Sequence, residues 1–319
     1  MSVKKYPLIL DAPVKDYIWG GTRLFDYGVK TDLKVTAEAW VMSAHKDGES
    51  VVANGELCGK TFTEALACFE NAVGTNSTDG SFPILIKLID AASDLSVQVH
   101  PNDEYALANE HSLGKTEMWY IVDAAEGASL VYGFKNDVTK DEFRKAIDEN
   151  KLTDILRFVP VKKGDAFFIE AGTVHAIGKG LLIAEIQQSS NITYRVYDYG
   201  RVGADGKPRA LHIDKAVEVS TLTKGEDAKV EAPKKIEGGE VKSLASCKYF
   251  KVEELCLDGK AELLADKRSF VATLITEGEA TLKCGDESYE LKKGASVFFP
   301  ADLGRFTLEG KATVVVTRI

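Results

Sequence analysis

The chain has 319 residues, 45% of them hydrophobic and 28% charged, with a formal net charge of −9 and a pI near 5.3. So acidic a surface repels nucleic acid and anionic lipid, and neither is expected as a partner. No apolar run approaches the roughly 18 residues of a membrane span, and MSVKKYPLILDAPVKDY lacks the apolar region and cleavage site of a secretion signal.

The first helical signal is TFTEALACF (61–69), where Thr61 and Glu64 have capping-box spacing. Strand-like runs follow at PILIKLIDA (83–91) and LSVQVH (95–100), then a short helix over 103–111. MWYIVDA (118–124) and ASLVYGF (128–134) continue the strands. VTKDEFRKAIDENKLTDIL (138–156) has helical periodicity with Phe143, Ile147 and Leu156 inward. DAFFIEA (165–171), LLIAEIQQ (181–188) and ITYRVYDYG (192–200) are strands again, punctuated by Gly, Asp or Asn as antiparallel strands are.

Residues 223–240, charged and poor in apolar side chains, read as a linker, and 241–319 returns to strands. The predicted organisation is a β domain over 1–222 with a small helical insertion near 138–156, a linker at 223–240, and a C-terminal β domain over 241–319. Many short strands with such turns predict a mainly β sandwich, jelly roll or barrel with a few short helices. Lys162-Lys163-Gly164 opens KKGDAFFIEAGTVH and Lys292-Lys293-Gly294 opens KKGASVFFPADLGR; placed without a gap, His175 falls opposite Arg305. The pattern reads either as two related β units, the second without a ligand, or as a chance likeness. The five cysteines (Cys58, Cys68, Cys247, Cys256, Cys284) are dispersed with no CxxC pair, as expected for reduced thiols in a cytoplasmic protein.

Alternate side chains of a strand share a face, so Gln98 and His100 can point at one ion while Val97 and Val99 pack behind them. Glu117 opens the next strand and His175 follows the turn Ala171-Gly172-Thr173. Imidazole and carboxylate suit a divalent transition ion. Each residue also has an ordinary reading, as a packed histidine or a solvated carboxylate, and a metal does not follow from spacing alone. His45, His111 and His212 have no comparable strand context.

Gly164-Asp165 followed by Gly172 and His175 resembles the second cupin motif, a Gly-Asp turn leading to a metal-binding His. IWGGTRL (18–24), EAWVMSAH (38–45), LIKLIDAASDLSVQVHPND (85–103), GKTEMWY (114–120), GTVHAIGKG (172–180) and EIQQSSNITYRVYDYGR (185–201) together resemble the type I mannose-6-phosphate isomerases, short bacterial branch. They span the first two thirds of the chain in the family's order. The resemblance implies a cupin-type jelly roll with a second, metal-less cupin-like unit. It also implies one Zn2+ per chain held by Gln98, His100, Glu117 and His175. Lys115-Thr116-Glu117-Met118 stands where the longer branch has Lys-Pro-Glu-Met, a departure that keeps both the ligand and the lysine.

The implied substrate is a small sugar phosphate, and the implied reaction interconverts mannose 6-phosphate and fructose 6-phosphate through a cis-enediol. Lys115, Lys87 and Ser96 are the expected substrate-binding residues, offering cationic and hydroxyl donors that the acidic surface lacks. The resemblance makes Arg195 catalytic, as a charge stabiliser because arginine is a poor base, and Glu185 a candidate for proton transfer or substrate positioning. Surface lysines and a structural carboxylate are the plainer alternatives. Trp19-Gly20-Gly21, Glu38 and Trp40 are expected to be structural. Three other functions stay open: a metal- and sugar-binding cupin without turnover, a metal-dependent dioxygenase, and an isomerase of another sugar.

Overall fold

The computed structural model describes residues 3–78, 80–203, 206–226 and 231–319. A six-stranded antiparallel sheet runs in the order Ala166–Ile169, Glu117–Ala124, Leu181–Gln188, Ile84–Ala91, Glu38–Ser43, Val14–Lys15. Its central strands Ile84–Ala91 and Leu181–Gln188 are buried at every position because both faces are covered. One face turns Met118, Tyr120, Leu182, Ala184, Ile84 and Ile86 toward the C-terminal part of the chain. The opposite face carries Trp119, Ile121, Ile183 and Ile89, which pack with Leu130 and Ile177 of a second sheet. That second sheet has five strands, in the order Tyr194–Tyr197, Val97–Val99, His175–Ile177, Ser129–Phe134, Leu156–Pro160. Polar residues between the two sheets therefore lie inside a jelly roll.

The third sheet contains the long strands Lys251–Ala265, Val271–Cys284 and Gly304–Arg318. Val271, Val297, Phe299, Val314 and Val316 face a core of its own. Alternate residues Ala272, Leu274, Phe298 and Val315 join the core shared with the first jelly roll. The strand Leu8–Asp11 also belongs to this sheet, pairing Leu8 with Phe298 and Ile9 with Val297. Of the stretch read as a linker, 227–230 lie outside the described residues, and Lys234–Ile236 forms an edge strand of the third sheet.

The two Lys-Lys-Gly turns match bond for bond. Gly164 N–H donates to Ile121 O and Ile121 N–H to Asp165 O, both at 2.9 Å; Gly294 N–H donates to Ile275 O at 2.7 Å and Ile275 N–H to Ala295 O at 3.0 Å. Both glycines are left-handed, with φ of 85° and 90°. The strands that follow pair Ile169 with Glu117 in one unit and Phe299 with Val271 in the other. Val271 thus occupies the position of Glu117, and Arg305 that of His175, so the second unit is cupin-like without those ligand side chains.

Thr61 and Glu64 form the expected capping box on the helix Phe62–Ala67, and the helix Asp103–Glu110 also forms. The insertion is not one helix. Lys140–Asp148 ends before Asn150, whose φ of 56° breaks the spiral, and Leu152–Ile155 follows as a single turn. Leu156 then opens a strand. The helix Ile213–Val219 has no counterpart in the sequence reading. Among the described residues no helix is long and apolar enough to cross a membrane.

Candidate metal centre and active site

Two cross-strand rows face each other inside the jelly roll. In the five-stranded sheet Gln98 pairs with His175 on one side and Arg195 on the other. In the six-stranded sheet Glu185 pairs with Lys87 on one side and Trp119 on the other. Glu117 lies two residues before Trp119 on the same face, and His100 two residues beyond Gln98. The period of two that shapes each strand thus delivers these side chains to one interior.

His100, Glu117 and His175 converge there, and none exposes more than 1% of its surface. Glu117 Oε1 is 3.4 Å from His175 Nε2, and Oε2 is 3.6 Å from His100 Nε2. All three offer a ligand atom within 4.8 Å of the others. Gln98 Nε2 is 3.4 Å from His175 Nε2, and a half-turn of its terminal amide brings the oxygen to the same place. His175 Nδ1 lies 2.8 Å from the Thr173 carbonyl, which only accepts, so the ring proton sits on Nδ1 and the Nε2 lone pair points inward. His100 Nε2 and Glu117 Oε1 have no hydrogen-bond partner. Leaving buried polar atoms unsatisfied is costly, and a divalent cation bound by them removes that cost.

The electrostatics agree. Burial, reinforced by the charge of Lys115, pushes His175 down to about 4 and His100 well below the usual imidazole range. Both are therefore neutral, as ligands must be. Burial and the negative charge of Glu185 raise Glu117, whereas a bound dication holds such a carboxylate ionised. Two imidazoles and a carboxylate, with the Gln98 amide beside them, are a donor set that suits zinc.

Above this cluster opens a cavity of about 320 Å3 that Gln98 and Lys115 line. Ser96, Lys87, Glu185 and Arg195 line it too, so the structure brings all the predicted site residues to one place. Lys87 is 3% exposed, with Nζ 3.3 Å from Glu185 Oε1 and 3.4 Å from Glu38 Oε2. Burial opposes its charge, but Glu38 and Glu185 outweigh burial and lift it above the ordinary lysine value. Two indoles brace those carboxylates: Trp119 Nε1 donates to Glu185 at 2.9 Å and Trp40 Nε1 to Glu38 at 2.7 Å. Lys115 Nζ is 3.0 Å from Glu117 Oε2 and 3.9 Å from Glu185 Oε1. Arg195 donates from Nε to Ser96 Oγ at 3.2 Å and from Nη1 to Ala210 O at 3.0 Å.

Residues 8–147 match the model for the phosphomannose isomerase type I catalytic domain, and residues 240–319 that for the mannose-6-phosphate isomerase cupin domain. The mannose-6-phosphate isomerase ManA of Bacillus subtilis (strain 168) is 42% identical over 98% of this chain and 99% of its own. The chain belongs to the type I phosphomannose isomerase family. Another member, from Streptococcus mutans, is 38% identical over 98% of both chains. The crystal structure of the Bacillus subtilis mannose 6-phosphate isomerase superposes with a TM-score of 0.92 at 38% identity, covering 99% of this chain and all of that one. A mannose 6-phosphate isomerase solved with zinc and yttrium shares the fold, with a TM-score of 0.78 at 19% identity.

In this phosphomannose isomerase family member the structure adds site residues that the sequence reading set aside. Glu38, read as structural, lines the cavity beside Lys87. Its signal was present: a single carboxylate within EAWVMS, a strand buried at every position. Arg209 and His212 also line the cavity, as do Trp19 and Asn191. Arg209 is oriented by Asp198, to which its Nε donates at 2.7 Å. It stands in a non-periodic connection, where no spacing rule places a side chain.

Proposed function

We propose that this chain is a zinc-dependent aldose–ketose isomerase interconverting mannose 6-phosphate and fructose 6-phosphate, with one zinc per chain on Gln98, His100, Glu117 and His175. The carrying observation is the buried convergence of His100, Glu117 and His175, with unsatisfied ligand atoms, beneath a cavity lined by Lys87, Lys115 and Arg195. The names of full-length relatives at 42% and 38% identity support the substrate. Residues 1–222 form the catalytic unit in this reading, joined through 223–240 to the C-terminal unit 241–319. The enzyme works in the cytoplasm, where its five free thiols stay reduced.

Isomerisation removes the proton from C2 of the open-chain aldose and returns one to C1, while the hydroxyl proton on O2 passes to O1. Zinc, when bound, polarises the substrate carbonyl as a Lewis acid without changing oxidation state. Lys115 and Lys87 offset the charge that the sugar phosphate brings into a site lined by carboxylates. Ser96 and Arg195 act together, the hydroxyl fixing the guanidinium so that its remaining N–H groups face the negative charge developing on the enediol oxygens. Glu185 lies between Lys87 and Lys115 and receives the Trp119 N–H, contacts that keep it an anion suited to accepting a substrate hydroxyl.

A coupled assay with mannose 6-phosphate tests this on metal-stripped protein before and after zinc is added. Zinc-restored formation of fructose 6-phosphate, absent with unphosphorylated mannose, is the expected result. Zinc-loaded protein that turns over no mannose 6-phosphate overturns the reaction.

A further inference from the structure

The C-terminal sheet reaches toward the metal cluster through one turn. Residues 247–250 join the strands Gly239–Ser246 and Lys251–Ala265, and Cys247 N–H closes the turn by donating to Phe250 O at 2.9 Å. Phe250 is 1% exposed in the core shared by the two units and lies edge-on to Phe168 at 6.4 Å. This anchor leaves the neighbouring Tyr249 against the start of the helix Asp103–Glu110, where its hydroxyl donates to Asp103 Oδ2.

The other oxygen of Asp103 holds the segment that leads into the site. Asp103 Oδ1 accepts from Gly114 N–H and from Gln188 Nε2, both at 2.9 Å. Gln188 Oε1 in turn accepts from Thr116 N–H at 2.8 Å, and Gln188 N–H donates to Thr116 O at 3.1 Å. Lys115 N–H donates to Pro101 O at 3.0 Å, between His100 and the helix. Gly114 itself lies flat on the helix start: a Cβ there would be 2.5 Å from Asn102 C and Asp103 N. Of the three amides before Glu117, those of Gly114 and Thr116 are thus fixed by a small network centred on Asp103 and that of Lys115 by the Pro101 carbonyl beside it, and the network's outermost member comes from the C-terminal unit. Lys248 also approaches Asp103, at 3.7 Å, but that lysine side chain is 74% exposed and an ion pair of this kind contributes little.

We propose that Tyr249 is a positioning residue, through which the C-terminal unit sets the segment Gly114–Glu117 and so the placement of Lys115 and Glu117. Its meaning for catalysis rests on the function proposed above; its structural content does not. The Tyr249 hydroxyl is the hydrogen-bond donor that holds Asp103 Oδ2 while Gly114 and Gln188 share Oδ1, so losing it frees the carboxylate to turn toward solvent and loosens both Oδ1 bonds.

The test compares Tyr249→Phe, Asp103→Asn, Asp103→Ala and the double variant Tyr249→Phe/Asp103→Ala, using full-length chain. Hydrogen exchange of the amides of Gly114, Lys115 and Thr116 is read on metal-free protein, and kcat/KM for mannose 6-phosphate on zinc-loaded protein. Tyr249→Phe keeps the ring packing and is expected to speed exchange and lower kcat/KM by on the order of tenfold, the weight of a hydrogen bond to a charged group. Asp103→Ala should do more, and the double variant no more than Asp103→Ala alone. Asp103→Asn should stay near wild type, because its oxygen still accepts from Gly114 and Gln188 while its amide donates to the tyrosine oxygen. Unchanged exchange in Tyr249→Phe, or effects of the two changes that simply add, overturns the proposal. Faster exchange with unchanged kcat/KM confines Tyr249 to holding the fold together and overturns it as a positioning residue. Should Tyr249→Phe fail to fold, unchanged exchange in Asp103→Ala overturns the proposal equally. If wild-type protein turns over no mannose 6-phosphate, the assigned reaction fails, and the exchange arm still decides the network.

Discussion

Trp119 and His175 meet edge to face, ring centroids 5.2 Å apart, where the six-stranded and five-stranded sheets close on each other. The contact ties the two halves of the site together. The same indole braces Glu185, and the same imidazole offers its Nε2 to the metal position.

Replacing His175 or His100 with Ala should therefore remove bound zinc and turnover together. Metal analysis after dialysis, run beside the isomerase assay, reads both. Gln98→Ala removes a weaker donor and should cost zinc affinity about 10–100-fold, within the range of changes around a metal centre. A His175→Ala protein with full zinc and full activity would remove that residue from the site.

Arg195 stands apart from the metal cluster, tied instead to Ser96 and to the Ala210 carbonyl. Arg195→Ala should keep stoichiometric zinc while kcat/KM drops by about 10²–10³, as for a lost donor to developing charge. Zinc titration combined with steady-state kinetics separates this from a ligand defect.

Lys87 is a cation buried between Glu38 and Glu185. Lys87→Met leaves two carboxylates facing each other without compensation and should destabilise the fold by about 3–5 kcal/mol. Urea denaturation of metal-free protein measures this apart from catalysis, as a lower midpoint at unchanged slope.

Asp198 gives a pH signature. Burial alone raises a carboxyl, but the guanidiniums of Arg209 and Arg201 outweigh burial and hold Asp198 below its ordinary range. Its contribution to stability is therefore complete above the unfolded value of about 3.9 and is lost as pH falls through the lower folded value. The urea midpoint of wild type should fall across that acid window, and part of the fall should be missing from Asp198→Asn.

Most of the site was legible through the resemblance to the type I isomerases, and the period of two of a strand added one pair. Gln98 and His100 share a face for that reason, whereas the turn Gly164-Asp165 pointed to His175 through its resemblance to the second cupin motif. The doubled Lys-Lys-Gly turn was visible as letters, and its identical backbone hydrogen bonds make it a repeat of structure. What stayed hidden depends on contacts between segments far apart in the chain. Glu38 looks structural until Lys87 is placed beside it, and Arg209 follows no periodic signal. Asn150 interrupts a helical pattern that hydrophobic spacing alone extends to Leu156. The strand Leu8–Asp11 has no local mark of the sheet it joins.

That strand has a consequence for synthesis. Leu8 and Ile9 are made long before their partners Phe298 and Val297. Until Ser296–Phe299 is made, the strand Leu8–Asp11 waits with open backbone groups on the side that will face it. Closure of so long a loop is slow and comes late. Loss of either Leu8–Asp11 or Ser296–Phe299 therefore exposes an unpaired strand edge in the same sheet, making the two segments a single stability element for a nascent chain.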